Sequence, residues 1–176
     1  MKLAVLIFFA IISFLKAVEV GEVLPSVVLK GELGSKVDGS PFRSEDLKGK
    51  TWLVIYSDPD KRGLNDDLFE KIKSEHFPRD RYGSVAIINM AATWMPNFAI
   101  DAALRAKQRK YPDTIYVRDL KKYLVDRWKM VDDDMNILII DSNQKVLFKA
   151  HGALDKRQKE QVLQILQKEI GGGRTF

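Results

Sequence analysis

Apolar residues along this chain fall into short, nearly continuous runs, separated by polar turns and by stretches with helical spacing. Residues 52–57 (WLVIYS) and 84–89 (SVAIIN) have strand length and little alternation, the pattern of strands covered on both faces. Between them Leu64, Leu68, Phe69 and Ile72 recur at helical spacing, with Asn65 placed to cap the helix and Pro78 to close it. Asn97 opens a second helix, whose inner face would be Ala99, Ile100, Ala103 and Leu104 and which Pro112 ends. Residues 136–140 (NILII), a turn at 141–144 and residues 145–150 predict a hairpin. The last helix has the sharpest boundaries. Asp155 and Gln158 form a capping box, Val162, Ile165, Leu166 and Ile170 make the stripe, and Gly171 stands just past the end. Weaker signals predict strands at 27–29, 114–117 and 123–128, a turn at Asp38-Gly39, and one helical turn before Gly49.

The order is strand–helix–strand, a helical insertion with extra strands, then strand–strand–helix. Two buried strands joined by a helix imply a parallel pair. The closing hairpin and helix complete a three-layer α/β domain with a mixed central sheet and a helical insertion; another small doubly wound α/β sheet is the alternative. No internal repeat or low-complexity linker interrupts it, so residues 18–171 are expected to form one domain, followed by a flexible tail at 172–176.

The N-terminus belongs to a different kind of segment. Lys2 precedes a 13-residue run at 3–15 that carries one polar residue, Ser13, and Ala17 is a small residue at a cleavage position. That is the layout of a secretory signal peptide. Lys16 stops the run short of the roughly 20 apolar residues a spanning helix needs. Residues 1–17 are therefore expected to be removed on export to the periplasm, with no membrane span left; retention as an anchor is the alternative. Cleavage takes 29 basic residues to 27 against an unchanged 24 acids, a charge of +3. So mild an excess in an exported protein argues against nucleic acid as a partner. The chain has no cysteine, which removes disulfides, thiolate metal sites and thiol redox catalysis together.

Residues 38–57, with a dipeptide turn, Leu47-Lys48-Gly49-Lys50 and an apolar strand, resemble the start of extracytoplasmic thioredoxin-like domains of the TlpA and peroxiredoxin kind. The end, NILIIDSNQKVLFKAHGAL and a helix, resembles their closing hairpin and helix. Further stretches are similar to the YtfJ family of exported proteins: Phe77-Pro78-Arg79-Asp80-Arg81-Tyr82, Ile87-Ile88-Asn89, Tyr111-Pro112 with Asp119 and Trp128 after it, and Gly152-Ala153-Leu154. That resemblance implies a thioredoxin-like fold and a periplasmic location, and supplies no activity. The thiol pair of working thioredoxins would fall in Asp60-Lys61-Arg62-Gly63-Leu64, and their cis-proline near Met135. Neither determinant is present, so thiol oxidoreductase or peroxidase chemistry is excluded. The Asp134–Met135 bond is expected to be trans, because a cis bond before a residue other than proline costs about 2.5–4 kcal/mol.

Five groups remain as candidate chemistry. Asp58-Pro59-Asp60 after a buried strand matches the nucleophile and acid of a Mg²⁺-dependent phosphoesterase, although Lys61 follows where that chemistry expects Thr or Val; a strand-ending turn is the plainer reading. Asp132-Asp133-Asp134 offers carboxylates for a hard cation without EF-hand spacing or the turn glycine. His76 and His151 lack a serine in a nucleophile context. Arg105, Lys107, Arg109 and Lys110, with Lys121 and Lys122 beyond, form a cationic stretch that reads as the wet face of a helix. Trp94-Met95-Pro96-Asn97-Phe98 places large apolar groups in a proline loop, as a contact patch or as core.

The sequence thus predicts an exported, redox-inactive thioredoxin-like domain that binds a protein or peptide partner at Trp94, Met95 and Phe98, with no catalytic residue, no cofactor and no resident metal. A phosphoesterase using Asp58 and Asp60 is the alternative. A transcriptional regulator comes third, disfavoured by the export signal.

Overall fold

The computed structural model describes residues 18–171; the expected export signal and the tail at 172–176 lie outside the described residues. In chain order the strands are β1 (Val28–Leu29), β2 (Gly34–Lys36), β3 (Phe42–Arg43), β4 (Thr51–Ser57), β5 (Tyr82–Asn89), β6 (Thr114–Asp119), β7 (Met135–Ile140) and β8 (Val146–His151). The helices are α1 (Asp66–Ser74), α2 (Asn97–Lys110), α3 (Tyr123–Trp128) and α4 (Lys156–Gly171). Six strands make one sheet in the order β2-β6-β5-β4-β7-β8. The centre, β6-β5-β4, is parallel, and β2, β7 and β8 add to it antiparallel. The expected parallel pair and closing hairpin are both present, with Val54 opposite Val85 and Leu138 opposite Lys149.

Both faces of the sheet are covered. Leu53, Ile137 and Ile139 pack with Leu68 and Ile72 of α1 and Val162, Leu166 and Ile170 of α4. On the same face Ala86 and Ile88 meet Ile100 and Leu104 of α2. On the other face Val54, Tyr56, Val85, Ile87 and Leu138 meet Leu124 and Trp128 of α3 and the N-terminal segment through Val18, Leu24 and Leu29. Three layers follow from the alternation of strand side chains between faces, each covered by an apolar helix stripe. Burying one such aliphatic side chain stabilises by about 1.5–3 kcal/mol.

Four expectations are corrected. Residues 123–128 form a helix and not a strand: the buried Asp119 carboxylate accepts from the N–H of Lys121, Tyr123 and Leu124 at 2.9–3.2 Å. The Tyr123 and Leu124 N–H groups are among those a helix N-terminus leaves unpaired, and Leu124 and Trp128, one turn apart, are both fully buried. Asn65 precedes α1 as expected but does not cap it with its side chain. Its amide instead donates to the Gly152 carbonyl at 3.0 Å and accepts from the Leu154 N–H at 2.7 Å, joining α1 to the segment before α4. Ala103 is exposed and Ala99 only half-buried, so Ile100 and Leu104 carry the inner face of α2. The capping box is as predicted: Gln158 N–H to Asp155 at 2.8 Å and Asp155 N–H to Gln158 at 3.0 Å. Gly171 is the last helical residue instead of the first beyond it.

Candidate functional site

The parallel strands all end on the same side of the sheet, where ligands of α/β proteins are generally met. Four buried polar residues end them: Ser57 and then Asp58 at the end of β4, Asn89 on β5 and Asp119 on β6. The loop 58–65 leaves β4 here as a short 3₁₀ turn over Pro59–Lys61. It faces the entrance to β7, with the Asp58 N–H donating to the Asp134 carbonyl at 3.2 Å and Ser57 paired with Met135. That entrance is the place where a thioredoxin-type groove would offer its backbone to an extended peptide. Here the Asp134 carbonyl is already occupied, and Met135 is buried with the Asn65 amide on its sulfur at 3.5 Å. No cis peptide bond occurs among the described residues, so Asp134–Met135 is trans as expected.

Asp58 is the unusual group of this end. It is 1% exposed, and neither carboxylate oxygen has a hydrogen-bond partner. Burial pushes its pKa up from 3.8 to about 6; the Asn89 amide eases the charge, the carboxylates of Asp132 and Asp133 oppose it, and Lys122 partly offsets them. Asn89 itself is committed to Asp132 at 3.0 Å. Asp60 stands exposed on the 3₁₀ turn. The two residues of the Asp-x-Asp pair are therefore parted, one sealed and one in solvent.

The acidic run is distributed over three separate partners. Asp132 takes Lys122 at 2.7 Å, which holds its carboxyl below the ordinary range. Asp133 lies 3.9 Å from Lys61, and Asp134 takes the His151 ring at 2.8 Å. Among the described residues no group of three or more His, Asp or Glu side chains is placed to hold a metal ion. His151 belongs to this end of the sheet, opposite Asn136 in the β7–β8 ladder. His76 follows α1 at the other end, with a nitrogen 2.6 Å from the Ser74 carbonyl.

The cationic stretch is the outer surface of α2 for the most part. Arg105, Lys107, Arg109 and Lys110 are exposed, and Arg105 shares Asp101 with Arg118 at 2.9 and 2.6 Å. The proline loop splits. Trp94 is 88% and Phe98 77% exposed, whereas Met95 is half-buried against Ile100, Leu104 and Tyr116. Met95 thus anchors the loop while Trp94 and Phe98 face water.

Sequence reading did not single out Tyr56; it took Asn65 only as a helix cap, and Asn89 and Asp119 only as part of the family resemblance, with no role at this end of the sheet. The last two carry a signal that was available, a polar side chain closing an apolar strand. The Tyr56 hydroxyl donates to Asp119 at 3.2 Å, and burial beside that carboxylate raises its pKa above the ordinary phenol value.

Comparison with known proteins adds family and fold. Residues 18–169 match the model of the YtfJ family, described as a bacterial protein of unknown function. The "Uncharacterized protein YtfJ" of Escherichia coli (strain K12) is 25% identical over 158 residues, spanning 85% of this chain and 86% of that protein. Among solved structures, a thiol peroxidase from Chromobacterium violaceum superposes with a TM-score of 0.64 at 13% identity, over 90% of each chain. A putative thiol:disulfide interchange protein DsbE from Chlorobium tepidum gives 0.62 at 15%, over 88% of this chain and all of that one. At these identities the likeness concerns architecture, and the fold is thioredoxin-like.

Proposed function

The chain belongs to the YtfJ family, and from that premise we propose that it is an exported, redox-inactive thioredoxin-like domain that binds a protein or peptide partner through Trp94 and Met95 of the loop before α2 and Phe98 in the first turn of α2. The exposure of Trp94 and Phe98 carries this reading. Keeping two aromatic rings in water forgoes about 1.5–3 kcal/mol each in burial, and such residues are the usual anchors of binding surfaces. Two further facts support it. The segment where thioredoxins hold their thiols has none here, since the chain has no cysteine. The backbone at Asp134 is occupied by Asp58, which turns a partner away from the ordinary groove.

Export rests on Lys2, the apolar run 3–15 and Ala17, and the family match beginning at residue 18, next to the expected cut, is in keeping with it. Among the described residues no helix is long and apolar enough to cross a membrane. The test compares two variants as bait in periplasmic extract. Trp94→Ala should lose a captured partner more completely than Met135→Ala; the reverse order would return the partner to the groove and overturn the assignment of this surface.

A further inference from the structure

At the end of the sheet opposite Asp58 lies a cleft of about 410 Å³, formed where β4 and β5 begin and α1 ends. Pockets of roughly 300 Å³ and more are the size that small ligands occupy. Lys50, Lys73, His76 and Arg79 reach it from three stretches of chain. Asp113, the one carboxylate lining it, is already paired with Arg79. Lys73 has Glu70 at 3.4 Å, on the exposed flank of α1. Lys50 has a carbonyl partner, Arg79 O at 3.0 Å, and sits 4.8 Å over the Trp52 ring. Its ammonium charge lines the cleft, and among the described residues no carboxylate forms an ion pair with it. The apolar wall is the Phe77–Tyr82 pair, with ring centroids 5.4 Å apart.

His76 adds backbone strain at the rim. Its φ of 49° lies in the left-handed region, which costs a residue with a Cβ about 1–2 kcal/mol. Strain of this kind is retained where the surroundings hold it, and it gathers at ligand sites. The Ser74 carbonyl accepts from Nδ1 at 2.6 Å, which leaves Nε2 as the ring nitrogen to meet a ligand. The same stretch holds Phe77-Pro78-Arg79-Asp80-Arg81-Tyr82, a motif for which the Trp94 surface has no use.

We propose that this cleft binds a small organic anion, with an oxyanion head recognised by Lys50 and Lys73 and a flat apolar body laid against Phe77 and Tyr82. Charge-assisted hydrogen bonds to lysine supply the attraction, and the aromatic wall selects against small inorganic ions. The site stands apart from the partner surface, and either assignment survives failure of the other.

The test is a titration of the ¹⁵N-labelled protein, followed by amide shifts, with phenyl phosphate, benzoate and uncharged benzyl alcohol. Saturable shifts confined to residues 50–52 and 72–84 are expected with phenyl phosphate or benzoate, the stronger of the two identifying the head group. Benzyl alcohol should give none. Lys50→Gln with Lys73→Gln should weaken the anion by about tenfold or more, the loss of charged hydrogen bonds. Should the double variant fold poorly, Lys73→Gln alone, on an exposed side chain, should still weaken it measurably. Undiminished affinity in the variants, equal response to benzyl alcohol, or shifts spread over the α2 cations would overturn the proposal.

Discussion

Replacing Asp58 with asparagine tests whether its sealed carboxyl destabilises the fold as its surroundings require. Asp58 is buried, both oxygens lack partners, and its pKa stands at about 6 against 3.8 for an ordinary aspartate. The folded chain thus holds this proton more tightly than the unfolded chain. Stability from the group is fully present below about pH 4 and is lost as pH rises through about 6. A shift of about two units corresponds to about 3 kcal/mol by neutral pH. Asparagine carries no charge, so its burial has no such dependence. An amide without partners costs about 1–3 kcal/mol, but it does so equally at every pH. Comparing parent and variant at two pH values therefore removes that cost. Denaturant unfolding at about pH 4 and about pH 7.5 should show the variant gaining about 2–3 kcal/mol relative to the parent at the higher pH. A difference that stays flat, or that shifts toward the parent, would refute the reasoning, because the charged carboxylate would then have a supporting partner.

Gly83→Ala should lower stability by about 1–3 kcal/mol, read as a thermal midpoint, because a Cβ there would lie 2.5–2.8 Å from ring atoms of the buried Trp52. Asp119→Ala removes the acceptor of the Tyr56 hydroxyl and of the Tyr123 and Leu124 N–H groups; a loss of about 2–4 kcal/mol in denaturant unfolding is expected, and an unchanged midpoint would contradict the capping role. N-terminal sequencing of protein from the periplasmic fraction should begin near Val18, and intact Met1 in soluble protein would count against export. An insulin-reduction assay should show no turnover above background, as a chain without cysteine requires.

The central strands were legible because buried parallel strands leave near-continuous apolar runs, and α4 because its capping box and stripe agree. Residues 123–128 misled because YLVDRW is rich in strand-favouring residues; its helicity depends on a carboxylate at Asp119 bonding to N–H groups up to five residues ahead, which tertiary burial fixes. β2 and β3 were missed for their brevity. Gly34 shows what holds β2: its ideal Cβ would sit 1.9 Å from the Arg118 carbonyl oxygen, so only glycine lets this edge close on β6. In the candidate site, local sequence placed Trp94 and Phe98 together around Pro96, and the structure puts Trp94 in the loop and Phe98 in the first turn of α2. Whether they faced water depended on where α2 docked. Local sequence marks Asp58 as a strand-ending turn or a nucleophile; that it is buried depends on tertiary packing, and its N–H donates to the Asp134 carbonyl, 76 positions away.

Site-specific photocrosslinking in the living cell tests the binding surface most directly. A photoreactive residue at position 98 should yield a discrete adduct, one at Asn143 in the exposed β7–β8 turn should not, and Trp94→Ala should reduce the position-98 adduct by about tenfold or more, as loss of a hot-spot aromatic does. Equal adducts from both positions, or a position-98 adduct indifferent to Trp94→Ala, would contradict the assignment of this loop as the partner surface.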